Sequence, residues 1–200
     1  VRAVMGQQIQ KNDSVEVREA RPNYTYIVYN KPRGIISHSP ARGETDIVTK
    51  IKIDHHLTGI APVGRLDKDS EGLIILTNDG RITARLLDPE HAHEREYAVT
   101  VDKKFSPMFI RLMSAGVKIE RYQTKPATVV KIGDGEFSIV LTEGKKHQIR
   151  RMCAALGYQV TKLVRTRILN IELKGMGSGQ YRVMKGMELK NFLAHLGLTS

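Results

Sequence analysis

Gly64-Arg65-Leu66-Asp67-Lys68-Asp69-Ser70-Glu71-Gly72-Leu73-Ile74-Ile75-Leu76-Thr77-Asn78-Asp79-Gly80 decides how this chain is read. Leu73 to Thr77 is a continuous apolar run, which predicts a strand buried on both faces. Asn78-Asp79-Gly80 is a turn signal, and Arg81 to Leu87 reads as a short helix. Asp67 stands at the mouth of the strand, two residues after Arg65. An attacking carboxylate must be ionised and held in place, and a nearby guanidinium favours both. The same residues also fit an ordinary turn aspartate bonded to backbone N–H groups. Spacing alone leaves the two readings open.

Upstream, residues 4–18 read as two short strands around the turn Lys11-Asn12-Asp13, followed by a linker at Arg21-Pro22-Asn23. Tyr24 to Tyr29 alternate aromatic and β-branched residues, a strand that Pro32 and Gly34 end. Residues 38–62 are a polar loop region with a short helix near 46–52. Downstream, Glu96 to Val101 is a strand. Ser106 is the expected N-cap of a helix that has Pro107 at its first position and Gly116 as its stop. Residues 126–132 and 136–142 form a hairpin around Gly133-Asp134-Gly135. In the helix at 146–156, Ile149, Met152, Cys153 and Leu156 share one apolar face, and Gly157 closes it. A strand at 168–173 and a terminal helix at 187–196 follow. Strands and helices mix without regular βαβ alternation. The expected class is therefore α+β with a largely antiparallel sheet.

The 200 residues carry 32 Lys+Arg against 21 Asp+Glu, a net charge of +11 that favours nucleic acid or an anionic membrane as partner. No apolar run approaches the ~20 residues a membrane-spanning helix needs. No signal peptide is evident. The single cysteine, Cys153, excludes an internal disulfide and a cysteine-based zinc site, so the cytoplasm is the expected compartment. The chain opens on Val1 and its first residues read as mid-domain, so a further segment upstream is expected.

Tyr97 is either a strand aromatic packed in the sheet or a phenol that stacks on a base or takes a proton. Arg150 and Arg151 are either solvated helix flanks or part of an RNA-facing helix. The run Lys145-Lys146-His147-Gln148-Ile149-Arg150-Arg151 favours the second, with Lys145 and Lys146 at a helix start that also attracts phosphate. A second basic run, Lys162 to Arg167, suggests one continuous surface. The pairs His55-His56 and His91/His93 lack a further ligand at structural-zinc spacing, so no metal site is expected. The glycine-rich stretches at 133–135 and 175–179 lack the Lys-Ser/Thr of a phosphate-binding loop.

Four motifs occur in order: Asn30-Lys31-Pro32-Arg33-Gly34; Gly64-Arg65-Leu66-Asp67 with Ser70-Glu71-Gly72-Leu73 and Leu76-Thr77-Asn78-Asp79-Gly80; Glu94-Arg95-Glu96-Tyr97; and His147-Gln148-Ile149-Arg150-Arg151-Met152. Together they resemble the bacterial ribosomal-RNA pseudouridine synthases of the small-subunit type, over about residues 24–190. Arg165-Thr166-Arg167-Ile168-Leu169-Asn170 is most similar to the F-type branch among the relatives that modify large-subunit RNA. The resemblance implies a mixed, largely antiparallel sheet with flanking helices and a catalytic cleft across its middle, and no cofactor or metal. It implies that residues 1–20 are the tail of an S4-like RNA-binding module and that 21–200 are the catalytic domain. Asp67 matches the catalytic aspartate, Tyr97 the active-site tyrosine, and Arg150 the basic partner of the aspartate. Arg65, Leu163, Lys31, Arg151 and Lys146 are the expected substrate-binding residues, with Leu163 packing on the target base. Arg95 stands where many relatives have Lys.

The implied activity is an isomerase, an RNA pseudouridine synthase. Its expected substrate is ribosomal RNA, 23S ahead of 16S, with tRNA as an alternative, acted on by a monomer without membrane contact. The rival class is a non-catalytic rRNA-binding module. The set Asp67/Tyr97/Arg150, which a pure binder would not need, separates the two.

Overall fold

The computed structural model describes residues 23–198, so the strands expected within 4–18 and the S4-like segment at 1–20 lie outside the described residues. The strand foreseen from Tyr24 is β1, Tyr26–Lys31. The polar loop region holds α1, Ile47–His55, capped by Asp46, whose carboxylate accepts from the Thr49 N–H at 2.8 Å. A short β2, Ala61–Val63, leads into the loop that carries Asp67. Next comes β3, Glu71–Thr77. Asp79 caps α2, Gly80–Leu87, and β4, Arg95–Val101, follows.

The helix α3, Pro107–Ala115, begins at Ser106 as expected, although the Ser106 side chain makes no capping bond. A two-residue turn joins β5, Lys118–Ile119, to β6, Tyr122–Gln123. The expected hairpin is β7, Thr128–Gly133, and β8, Glu136–Leu141. The amphipathic helix is α4, Gln148–Ala155. Where the sequence suggests one strand at 168–173, the chain builds a longer strand, β9, Val160–Ile168, then turns at Leu169-Asn170 into β10, Ile171–Glu172. The edge strand β11, Tyr181–Val183, and the terminal helix α5, Gly186–His195, complete the order.

The main sheet runs β11-β1-β3-β9-β4-β8-β7, with β2 beside β3 and β10 beside β9. Every pairing in it is antiparallel except β3 with β9. The expected α+β class with a mixed, largely antiparallel sheet and flanking helices is what the chain forms.

The apolar run of β3 is buried on both faces. Leu73 and Ile75 join Tyr26, Val28, Ile82 and Phe192 on the side of α2 and α5. Ile74 and Leu76 join Ile27, Tyr29, Ile47 and Ile51 on the side of α1. A separate core gathers α3, α4 and the β7–β8 hairpin around Phe105, Phe109, Phe137 and Met152. The chain is thus two packed halves joined along β3–β9–β4, and that seam is where a cleft opens.

Tyr29 is fully buried, and its hydroxyl has no hydrogen-bond partner among the described residues. Burial, aided by Asp54, pushes its phenol up to about 12. Burial and the bond to the Asp79 carboxylate do the same to Tyr26. An unfolded phenol titrates near 10. A raised folded value means that this stability is complete below pH 10 and is lost as pH climbs through 12. Tyr29→Phe removes one of the two contributions together with an unsatisfied hydroxyl. The variant should match or exceed the parent in urea unfolding at pH 7. Its advantage should grow by on the order of 2 kcal/mol between pH 10 and 12. A pH-independent difference would refute the assignment.

Candidate active site

The loop from Gly64 to Ser70 joins β2 to β3 and has little regular pairing of its own, so its backbone polar groups need partners from elsewhere. Side chains distant in the chain supply them. The Ser37 hydroxyl donates to the Leu66 carbonyl at 2.8 Å and accepts from the Leu66 N–H at 2.9 Å. His38 Nε2 bonds the Gly64 carbonyl at 3.0 Å. Arg165 donates from Nη1 to the Arg65 carbonyl at 3.4 Å and from Nε to the Leu73 carbonyl at 2.7 Å. Arg150 Nη2 reaches the Asp69 carbonyl at 3.0 Å. Lys31 Nζ donates to the carbonyls of Ser70 and Pro32, both at 2.9 Å. A loop held by five side chains presents its one inward carboxylate, Asp67, in a fixed place.

The cleft beside this loop has a volume of about 800 Å³. Asp67 lies in its wall with 40% of its side chain exposed, and Tyr97, Leu163, Arg165, Arg65 and Lys146 line the same space. Tyr97 comes from β4 directly opposite Arg165 of β9. A register shift between Glu96 and Tyr97 sits at that point, a bulge of the kind that re-aims a side chain beside a site. His147 Nε2 lies 3.6 Å from Asp67 Oδ1.

Three expected residues are placed differently. Lys31 is fully buried rather than facing substrate. Burial brings its ammonium down to about 8, with Glu71, Asp67 and Asp69 pulling the other way. It therefore braces the loop from behind. Arg150 makes no ion pair with Asp67 among the described residues. Its guanidinium is spent on the carbonyls of Asp69 and Val160, which tie the loop to β9. Arg151 turns away from the cleft and pairs with Glu120 at 2.8 Å. Lys145 and Lys146 precede α4 rather than occupying its first turn.

Ser37 and His38 lie outside the motifs, and Arg165 and His147 lie within quoted segments that assign them no role, yet all four hold or flank the Asp67 loop. Ser37 and His38 belong to a polar loop whose partner segment is only brought near by folding. Arg165 reads in sequence as one more surface cation in a basic run, yet it is 4% exposed. Among the other histidines, His93 bonds the Arg85 carbonyl and His55 the Gly179 carbonyl, and His91 lies near Asp88.

The family model described as RNA pseudouridylate synthase matches residues 25–155. A dual-specificity RNA pseudouridine synthase, RluF, of Escherichia coli K12 is 44% identical over 94% of this chain, which spans 66% of that relative's length. A ribosomal small subunit pseudouridine synthase A of Pasteurella multocida is 34% identical over 84% of this chain and 73% of its own length. A crystal structure of a pseudouridylate synthase superposes with a TM-score of 0.76 at 28% identity, covering 86% of this chain and 74% of that one.

Proposed function

Because the chain belongs to the RNA pseudouridylate synthase family, we propose that it isomerises a uridine of ribosomal RNA to pseudouridine. The observation that carries this reading is the convergence of Asp67, Tyr97 and Leu163 on one cleft whose rim bears Arg65 and Lys146. In this reading a flipped pyrimidine lies against the Tyr97 ring and Leu163, which line the cleft, and the cations hold its phosphates. Removing the base from its stack costs a few kcal/mol, least in a loop.

In the reaction the N1–C1′ bond breaks, the base turns over, and C5 is joined to C1′. The C5 proton leaves to solvent and N1 gains one, so nothing is oxidised or reduced and no cofactor is called for. Asp67 acts as the carboxylate, at C1′, at C6, or in removing the C2′ proton. Tyr97, which lines the same cleft, is the acceptor we assign to the last proton, although a phenol is a weak base at neutral pH. Arg150 acts through the Asp69 carbonyl, and Arg165 through that of Arg65, both as positioning residues. A monomer acting in the cytoplasm on 23S rRNA is the reading we favour. The dual specificity in the name of the Escherichia coli relative supports keeping a second RNA substrate, for which tRNA is our reading.

The test uses 23S, 16S and tRNA transcripts labelled with tritium at uridine C5. Time-dependent tritium release, greatest from 23S, is the expected result, followed by mapping of the modified position. Tight binding without release from any transcript would replace the enzyme with a binding module.

A further inference from the structure

The β5–β6 hairpin stands beside the cleft and closes a second, smaller hollow of about 320 Å³, lined by Ile119, Glu120, Arg121, Tyr122, Lys145 and Arg151. Tyr122 and Lys145 belong to both spaces, so the hollow continues the cleft along its rim. Its floor is apolar and anchored. Ile119 is 3% exposed and packs in the core with Ile149 and Met152 of α4.

The Tyr122 ring is fixed before anything binds. Its hydroxyl donates to a Glu143 carboxylate oxygen, and the other oxygen of that carboxylate takes the Lys125 N–H at 3.0 Å and Gln148 Nε2 at 2.6 Å. Glu143 is thereby engaged by three donors. Lys145 Nζ stands 4.7 Å from the Tyr122 ring centroid. Within the hollow Glu120 is occupied by Arg151. Arg121 and Lys145 have no ion-pair partner among the described residues. What remains is an immobilised aromatic ring beside the apolar Ile119, with Lys145 lying over the ring and Arg121 exposed next to it, neither cation held by a carboxylate among the described residues. Those are the elements that hold a single-stranded nucleotide: a ring for the base and cations for its phosphate.

We propose that this hollow is a second nucleotide subsite, which takes an unpaired base of the same RNA strand as the target uridine. The proposal rests on the reading of the chain as RNA-acting and adds to it a contact outside the reacting base. It assigns to Tyr122, Ile119 and Arg121 a part in choosing the sequence or loop shape around the target. An isomerase whose chemistry sees only uracil needs such a contact to select one uridine among many. A ring pre-set by hydrogen bonds loses little freedom on binding, which favours affinity.

The experiment uses uridine-centred hairpin RNAs carrying 2-aminopurine at successive flanking positions. With the parent protein, fluorescence at one flanking position should be quenched by stacking. Tyr122→Phe, which keeps the ring, should preserve the quench, and Tyr122→Ala should abolish it. For tritium release, Tyr122→Ala should raise KM about tenfold, within the range for removal of a base–aromatic stack. The exposed Arg121→Ala variant should flatten the dependence of log KM on log salt by roughly 0.7, as for one phosphate no longer neutralised. A quench that survives Tyr122→Ala would overturn the subsite. So would equal defects in Tyr122→Phe and Tyr122→Ala, which would place the effect in the hydroxyl. If the parent protein released no tritium, the isomerase reading would fall while the quench would still judge the subsite.

Discussion

Asp67→Asn should reduce tritium release from C5-labelled uridine by at least about 10³-fold, while RNA binding stays within a few-fold of the parent. Asparagine keeps the size and shape of the side chain but offers neither a nucleophilic carboxylate nor a proton acceptor, and covalent and acid–base contributions of that kind are large. The loop itself should not move. Its carbonyls are held by Ser37, His38, Arg165, Arg150 and Lys31, none of which bonds the Asp67 side chain. The Ser70 N–H bonds the Asp67 carbonyl, which the substitution leaves in place. The nearest ionic interaction removed is the one with His147 at 3.6 Å, between side chains that are 46% and 40% exposed, where such pairs contribute little. Melting temperature should therefore be nearly unchanged. That separates a chemical defect from a folding defect. Turnover within tenfold of the parent would remove Asp67 from the chemistry. A loss of binding equal to the loss of turnover would make it an RNA contact instead.

The parts of this chain that are legible in its sequence share a physical property: their meaning is local. The run Leu73 to Thr77 has only one stable placement, between two apolar layers, and it takes it. Asp79, Gly116 and the turn between β7 and β8 report backbone conformations that neighbouring residues already require. Strand β9 is obscured in the sequence because Lys162, Arg165 and Arg167 interrupt its apolar residues. The buried guanidinium of Arg165 donates to carbonyls of β3 and of the Asp67 loop, although its Nη2 has no partner among the described residues. Nothing within the segment itself announces those acceptors.

The same limit governs the site. Asp67 and Tyr97 are named by motifs and Leu163 by the resemblance, and all three line the cleft. Which cation turns inward is not decidable from spacing. In Arg150-Arg151 one guanidinium ties the loop to β9 and the other pairs with Glu120. Lys31 is expected among the substrate-binding residues, as a lysine usually keeps its head in water. Here the ammonium finds two carbonyls inside, and the braced loop is what offsets the cost of burying it.

Gly72→Ala is expected to be the most damaging single-methyl change in the described structure. Gly72 lies on β3 between two neighbours that both hold the Asp67 loop, opposite Lys31 of β1 and opposite Arg165 of β9. Its φ is +106°, a conformation that side chains resist at a cost of roughly 1–2 kcal/mol. A Cβ would also stand 2.4 Å from the Arg165 carbonyl oxygen and 2.6 Å from the Arg165 nitrogen. These are backbone atoms of a central strand, so no side-chain rotation relieves the overlap. Relief requires β9 to draw away from β3, and that is the one parallel pairing joining the two halves of the molecule. The total should reach about 3 kcal/mol or more, a fall in melting temperature of roughly 6–12 °C for a chain of this size. Protein that still folds should lose turnover further, because moving Arg165 releases the Arg65 carbonyl. Gly34→Ala is the matched control. Its φ is +87°, but an added Cβ meets nothing within 4 Å, so only the conformational cost remains and the melting temperature should fall by a few degrees. If Gly72→Ala melted within about 2 °C of the Gly34→Ala variant, the close approach of β3 to β9 would not be what holds the catalytic loop in register.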